Sequence, residues 1–433
     1  MIKKEKNRKL NLKIESKDID PGALFIIERL NDSGYEALVV GGCIRNLIMG
    51  EEAHDWDITT KATPEEISRA FKEFKVIPVG KKFGTVTVVI DHINYEVSTF
   101  KKNRSALTSN LLEDLRHRDF TINALAWKER EGVIDYFNGL EDIEQKVLRG
   151  AEDPAERIKE DPLRMLRAIR LACELDFKID KATLRAIEEN SPLIKKVSVE
   201  RIRDEFIRML LSNYPQRGLK LLEQKGLLKY ILPELMTLKE VKIDDINSVE
   251  DVFSYNLKLI GCLPPNLVLR LTALLSFPSL TLREEAVLNI LKRLKFKNSI
   301  IKKVVILRQE DWERICFSQG KEIRKYLAKT SLEEVKNIFI LKKATLKVKK
   351  RDKKEVQLKQ EEERVKEVLA QKPPLSLKDL ALTGQDLKDL GYSEGKKIGQ
   401  VLRELLNLVL EKPALNQKKI LIAWMRSERP LGR

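Results

Sequence analysis

The chain has 433 residues, 34% of them charged, and its 82 lysines and arginines exceed its 66 aspartates and glutamates to give a formal net charge of +16. That length suits about three domains, and the basic surplus favours a polyanionic partner over a merely solvated lysine-rich surface. Four scattered cysteines (Cys43, Cys173, Cys262 and Cys316) form no CxxC pair and read as reduced, mostly buried thiols of a cytoplasmic protein; three histidines (His54, His92 and His117) argue against a zinc site or a histidine-rich hydrolase centre; the first residues lack the apolar core of a signal peptide, and no apolar run reaches the ~18 residues that span a membrane.

Residues 1–20 are polar and read as an arm. Pro21 opens a helix that ends near Gly34, and ALVV (37–40) is a short strand running into Gly41-Gly42 and an amphipathic helix, CIRNLIM (43–49). DWDITT (55–60) reads as a second strand, and Thr63-Pro64-Glu65-Glu66 as a capping box opening the next helix. GTVTVVID (84–91) and INYEVSTF (93–100) are β-rich runs joined by a tight turn. Beyond about residue 150 leucine-rich helical periodicity takes over, as in 164–175, 199–211 and 218–231. Residues 342–366, dense in lysine and glutamate, read as one long solvated helix, and a last helical unit is punctuated by Gly384, Gly391, Gly395 and Gly399.

Two local patterns carry chemistry. Gly41-Gly42 between a strand and a helix lets the backbone approach an anion, and Arg45 on the first turn adds charge. Alone, such a pair is more often a plain turn. Asp55-x-Asp57 on a strand puts two carboxylates on one face, a hard-oxygen pair suited to Mg²⁺. About ten acidic-x-acidic pairs are expected by chance in a chain this acidic, so that pair alone carries little. Together they build one site: a glycine turn for a triphosphate and carboxylates for the metals bridging it. No GxxxxGK[ST] run follows a strand.

This arrangement resembles the DNA polymerase beta-type nucleotidyltransferases. More specifically, five ordered segments resemble motifs A to E of the class II tRNA nucleotidyltransferases and bacterial poly(A) polymerases. They are GGCIRNLIMGEEAHDWDITTKATPEE (41–66), DLRHRDFTINALAW (114–127), DYFNGLEDIEQKVLR (135–149), EDPLRMLRAIR (160–170) and SVERIRDEFIRML (198–210). The likeness covers roughly residues 21–235, with Asn138-Gly139 where a double glycine is frequent. The segment LTGQDLKDLGYSEGKKIGQVLRELLNLVLEKPALNQKKILIAW (382–424) is similar to the tail of bacterial CCA-adding enzymes.

The resemblance implies an α+β protein: a small mixed or antiparallel-sheet head (21–150), then an all-α neck (151–235), body (236–340) and tail (341–433). It implies attack of a tRNA 3′-hydroxyl on the α-phosphate of a bound nucleotide, with release of pyrophosphate by two-metal catalysis at Asp55 and Asp57. Asp161 and Arg164 would read the Watson–Crick edge of the incoming base. Arg118 would face phosphate, and Asp119 and Asn123 would bond sugar hydroxyls, although without the resemblance Asp119 is better read as a helix cap and Arg118 as a surface charge. Arg167 and Arg170 are read as holding triphosphate or primer, or as solvated. Glu96 is a third carboxylate with a helper or a structural role.

After Phe100 only KKNRSALTSNLL (101–112) precedes Glu113-Asp114, with no acidic–arginine segment. CCA- and A-adding relatives carry a longer flexible loop there, so the short link resembles the CC-adding subgroup. The expected partners are tRNA, CTP and, for a full CCA-adding enzyme, ATP; a CC-adding enzyme needs a separate A-adding one. VGKKFGTVTV (79–88) leaves poly(A) polymerase open, and an inactive head on an RNA-binding helical scaffold is the non-enzymatic alternative.

Overall fold

The computed structural model describes residues 10, 13–78, 84–101, 106–243, 250–276, 284–309, 312, 314–351, 353–392 and 395–428. Residues 79–83, which include the Gly80-Lys81-Lys82-Phe83 run, lie outside them. The chain divides into two compact units, Met1–Met236 and Thr237–Arg433.

In the first unit, α1 (Pro21–Asp32) starts where Asp20 accepts the N–H groups of Gly22 and Ala23 and proline fills the first helical position. Strand β1 (Ala37–Val40) is wholly buried and feeds α2 (Gly42–Ile48). After β2 (Asp57–Thr60), the expected capping box of Thr63 and Glu66 opens α3 (Pro64–Ala70). Strands β3 (Lys75–Ile77), β4 (Thr85–Ile90) and β5 (Ile93–Thr99) come next along the chain. Asp91 and His92 join β4 to β5 with φ of 48° and 65°, the positive values a two-residue hairpin loop demands. Then come α4 (Leu111–Arg116), β6 (Leu125–Lys128), β7 (Gly132–Asp135) and α5 (Gly139–Glu144).

The seven strands form one sheet in the order β3-β4-β5-β2-β1-β6-β7. Only the β2–β5 pair is parallel, so the sheet is mixed as expected. Its core gathers Leu38, Val40, Phe100, Leu115, Ala124 and Ala126. Strand register brings the acidic side chains together: Val40 faces Asp57 across β1–β2, and Asp57 faces Glu96 across β2–β5.

Helices then dominate. The short β8 (Val147–Leu148) pairs in parallel with β9 (Lys178–Ile179), which is the one named strand among the described residues between 150 and 240. Around it lie α6 (Pro154–Glu160), α7 (Arg164–Leu175), α8 (Lys181–Asn190) and α9 (Val199–Leu211). Helices α7 and α9 span the predicted segments. The 218–231 run is not one helix: Gly226, at φ 71°, separates α10 (Pro215–Gln224) from α11 (Leu228–Ile231). A glycine in the left-handed region ends a helix more cheaply than any other residue.

In the second unit, α12 (Val252–Cys262), α13 (Leu267–Leu274), α14 (Glu284–Arg293), α15 (Asn298–Gln309) and α16 (Gly320–Lys329) lead to α17 (Leu332–Val348) and α18 (Lys353–Ala370). The single solvated helix read over 342–366 is therefore two helices packed on each other. Their contact encloses an ion pair: Lys342 Nζ lies 2.7 Å from Glu361 Oε2, both side chains under 10% exposed. Charge density along the sequence concealed this, because a buried pair and a solvated pair are spelled alike. Finally α19 (Gly384–Asp389), α20 (Lys396–Glu411) and α21 (Lys418–Glu428) close on a core of Leu382, Leu387, Leu405, Val409 and Leu421. The cysteines are free, but Cys316 is exposed and Cys262 half-buried, so only Cys43 and Cys173 fit the buried reading. Among the described residues no helix is long and apolar enough to cross a membrane.

Candidate active site

At the end of β1 the chain turns through Gly41, whose φ of 88° and ψ of −140° lie where L side chains rarely go. A Cβ there would stand 3.0 Å from Arg118 Nη1 and 3.5 Å from Asp57 Oδ2. The glycine thus serves conformation and close approach together, and the turn lies directly against a carboxylate and a guanidinium. The Gly41 N–H is already spent on the Leu125 carbonyl, at 3.0 Å.

Two clefts in the first unit meet at Asp57 and Arg118, which line both. One, of about 980 Å³ including its open mouth, adds Gly41, Gly42, Arg45, Asn46, His54, Asp55, Asp119, Asn123, Arg167, Arg170 and Arg208. Five arginines and three aspartates line it, so its walls are strongly charged in both signs. The other, of about 1100 Å³, adds Glu96, Ser98, Lys101, Asp114, His117, Glu160, Asp161 and Arg164. Every candidate residue named from the sequence therefore borders one cleft or the other.

Asp55 and Asp57 share the first cleft, but not for the reason the sequence offered. Strand β2 begins only at Asp57, so Asp55 sits in the preceding loop rather than two positions along a strand face. Burial pushes the Asp57 carboxyl up to about 6 against the pull of Arg118, with Glu96 and Asp55 adding repulsion. Such crowding of carboxylates favours a cation among them. Among the described residues no three His, Cys, Asp or Glu side chains converge into a ready-made cage. Mg²⁺ accepts that arrangement, since it takes one or two carboxylates and completes its shell with water and substrate phosphates. The donor set thus fits a divalent hard cation held by Asp55 and Asp57.

The remaining candidates are held by one another. Asp119 is buried; its Oδ2 pairs with Arg167 at 2.7 Å, while its Oδ1 accepts from Asn123 Nδ2 at 3.0 Å and from the Phe120 N–H. Burial alone would raise its pKa, but Arg167, Asn123 and Arg164 outweigh that and hold it below the usual range. Asn123 Oδ1 in turn accepts from Arg45, whose ionisation is disfavoured by burial. Arg170 is engaged by Glu174 and Glu205. Both oxygens of Asp161 accept from Arg201 of α9, at 3.2 and 2.7 Å. Arg164 donates to Glu160 and to the carbonyls of Arg157 and His117 at 3.1, 2.9 and 2.6 Å.

Sequence reasoning passed over several of these partners. Asp114, 5% exposed, accepts the Lys101 N–H and the Thr59 hydroxyl and pairs with Arg118 at 3.6 Å. The i,i+4 spacing of Asp114 and Arg118 was the available signal. Lys101 Nζ donates to Thr85 Oγ1 at 2.9 Å on the wall of the second cleft. Arg201, 40 positions from Asp161, had no local signal at all.

Residues 37–149 match the poly A polymerase head domain family, 176–238 a family described as the probable RNA and SrmB-binding site of polymerase A, and 271–425 tRNA nucleotidyltransferase domain 2. A CCA-adding enzyme of Ligilactobacillus salivarius is 31% identical over 417 residues, covering 92% of this chain and 94% of its own. One of Pediococcus pentosaceus is 40% identical over 292 residues, covering 65% and 70%. The Bacillus stearothermophilus CCA-adding enzyme in complex with CTP superposes with a TM-score of 0.76 at 28% identity, over 95% of this chain and 98% of that one. With a mixed-sheet head whose clefts collect all the expected side chains, and with relatives alike along nearly the whole length, the chain belongs to the class II tRNA nucleotidyltransferases and is an enzyme.

Proposed function

We propose that this enzyme adds the two cytidines of the tRNA CCA end from CTP and stops there, leaving the terminal adenosine to a separate A-adding enzyme. The observation that carries this reading is the link between β5 and α4. Lys101 and Leu107 form a β-bridge, the Thr108 N–H donates to the Phe100 carbonyl at 2.9 Å, and α4 begins at Leu111. A loop that must reach the pocket and readmit a larger base has little chain to do it with; residues 102–105, within that link, lie outside the described residues.

In this reading the arginine-rich cleft takes the triphosphate, with Gly41, Gly42, Arg45, Arg118, Arg167 and Arg170 around it. Asp119 and Asn123 meet the sugar. Asp161 and Arg164 face the base, the carboxylate accepting from an amino group and the guanidinium donating to ring nitrogen and carbonyl. Asp55 and Asp57 would hold Mg²⁺, with Glu96 as a helper, and the bound ion would supply charge neutralisation and a lowered pKa for the attacking hydroxyl. The tRNA 3′-oxygen bonds to the α-phosphorus as the bond to pyrophosphate breaks, and no covalent enzyme intermediate forms. The head carries this chemistry, the neck (151–235) reads the base, and the body and tail hold the tRNA through phosphates, which position without reading sequence.

Full CCA addition is the second reading, favoured by the names of the curated relatives. Incubation with CTP, ATP and a tRNA lacking its three terminal nucleotides, followed by 3′-end sequencing, separates the two. The proposal expects ends in CC whatever the ATP concentration; efficient formation of CCA ends refutes it, and long A tails from ATP alone would mark a poly(A) polymerase.

A further inference from the structure

We infer that Lys101 binds the last phosphodiester of the strand being extended and so orients the attacking 3′-hydroxyl towards Asp57 from the second cleft. Strand β5 sets the geometry. Its register with β2 and β4 places Glu96 beside Asp57 and Thr87, and Ser98 beside Thr59 and Thr85. Residues two apart on a strand share a face. The hydroxyls of Thr59, Ser98 and Thr85 therefore form a row next to the carboxylates, about 6.6 Å further along the strands. Lys101 is tied to that row at both ends. Its N–H donates to Asp114 Oδ1 at 2.9 Å, Asp114 Oδ2 accepts from Thr59 Oγ1 at 3.2 Å, and its ammonium donates to Thr85 Oγ1 at 2.9 Å. The side chain is half-buried and lines the second cleft with Asp57, Glu96 and Ser98.

Among the described residues Thr85 is the one hydrogen-bond partner of this ammonium, which leaves N–H groups for a ligand. No carboxylate among them pairs with it, whereas Lys61 and Lys128 of the same unit each have Glu36, at 2.9 Å. Asp114, Glu96 and Asp57 favour its charge only from further off, and burial outweighs them and lowers its pKa. A cation so placed is stabilised by an anion entering the cleft. In the proposed site the triphosphate takes the first cleft, and Asp161 and Arg164 face the base. The anion still without a partner is the strand that carries the attacking hydroxyl. That hydroxyl must come to Asp57 with its own phosphodiester one nucleotide behind it, a step that the offset between carboxylate row and hydroxyl row matches. An ammonium suits the task, because it is a compact charge that positions a phosphate without reading sequence.

This role rests on the reading of tRNA as the substrate, and the test keeps the two apart. Single-turnover cytidine addition is measured on 3′-truncated tRNA whose last internucleotide phosphate is either intact or replaced by an uncharged methylphosphonate. The wild type, K101M and K101R are compared, with thermal melts as the check on folding. In the wild type the methylphosphonate should slow addition by about 10–100-fold, the worth of a hydrogen bond between charged groups. K101M should lose a similar factor on intact tRNA and less than about threefold more on the methylphosphonate, because the two changes remove one shared contact. K101R should recover most of the loss on intact tRNA and remain sensitive to the methylphosphonate, and KM for CTP should not move. A wild type indifferent to the methylphosphonate would overturn the inference, and this arm and K101R decide it even if K101M folds poorly. Losses that multiply in K101M would overturn it too, since lysine and phosphate would then act separately. A raised KM for CTP would overturn it by assigning the ammonium to the nucleotide. A wild type that extends the same tRNA with ATP and not with CTP would sink the functional reading, and the same comparison run with ATP would still decide the role of Lys101.

Discussion

Adjacent glycines at the head of α2 offer a paired experiment, because the structure assigns them opposite costs. Gly41 has φ 88° and ψ −140°, close to a region only glycine occupies, where a side chain costs about 1–3 kcal/mol. The added methyl also meets Arg118 Nη1 at 3.0 Å, tighter than ordinary contact, so the guanidinium must give by a few tenths of an ångström. Gly42 has no positive φ, and its nearest neighbour is the flexible end of Arg45, at 3.3 Å. As a first helical residue it should gain up to about 0.5–1 kcal/mol from alanine. For a unit of this size each kcal/mol moves the unfolding midpoint by about 2–4 °C. Gly41→Ala should therefore lower the midpoint of the first unit by about 2–12 °C, and Gly42→Ala should leave it level or raise it slightly. Cytidine incorporation should fall by about 10–100-fold in Gly41→Ala through displacement of Arg118 beside Asp57. Scanning calorimetry and a CTP incorporation assay read both. Equal midpoints and equal rates for the two variants would show that the turn is not a close-approach element.

Arg164→Ala should raise KM for CTP and erode the preference for CTP over UTP by about 10–100-fold, the worth of one bidentate base contact, measured as the ratio of kcat/KM for the two nucleotides. Retained selectivity would place base reading elsewhere. Glu361→Ala strands the buried ammonium of Lys342 and should cost about 3–5 kcal/mol in chemical denaturation, whereas the double change to Met and Leu should recover most of it. Lys418, with the N–H and hydroxyl of Thr383, holds the Asp386 carboxyl down to about 2. A depressed carboxyl stabilises above its unfolded value of about 3.9 and loses that contribution as pH falls towards 2. Thermal melts of the wild type should therefore decline more steeply over that window than those of Asp386→Asn, and parallel curves would contradict the assignment.

Local spelling made much of the head legible. Proline at the start of α1, the capping box at Thr63 and Glu66, and a two-residue hairpin loop at Asp91 and His92 are each set by neighbours in sequence, and all three stand in the structure. Long-range pairing was not legible. Nothing within INYEVSTF says that Glu96 lies in parallel register with Asp57, because that depends on which strand neighbours which. The same holds for Arg201 on Asp161 and Lys342 on Glu361, whose partners are chosen by helix packing. Asp55 shows the converse: it lines one cleft with Asp57, yet the sequence assigns it to a strand that starts two residues later.

The central claim is that nucleotidyl transfer takes place at Asp57 and its neighbour Asp55. Single-turnover addition of cytidine to 3′-truncated tRNA by Asp55→Asn and Asp57→Asn, with CTP and tRNA binding measured on the same preparations, tests it directly. Each amide keeps the size of the side chain and removes the charge, so the rate should drop by at least about a thousandfold, roughly 4 kcal/mol of barrier, while tRNA binding stays within a few-fold of wild type. A rate within tenfold of wild type for either variant would contradict the account.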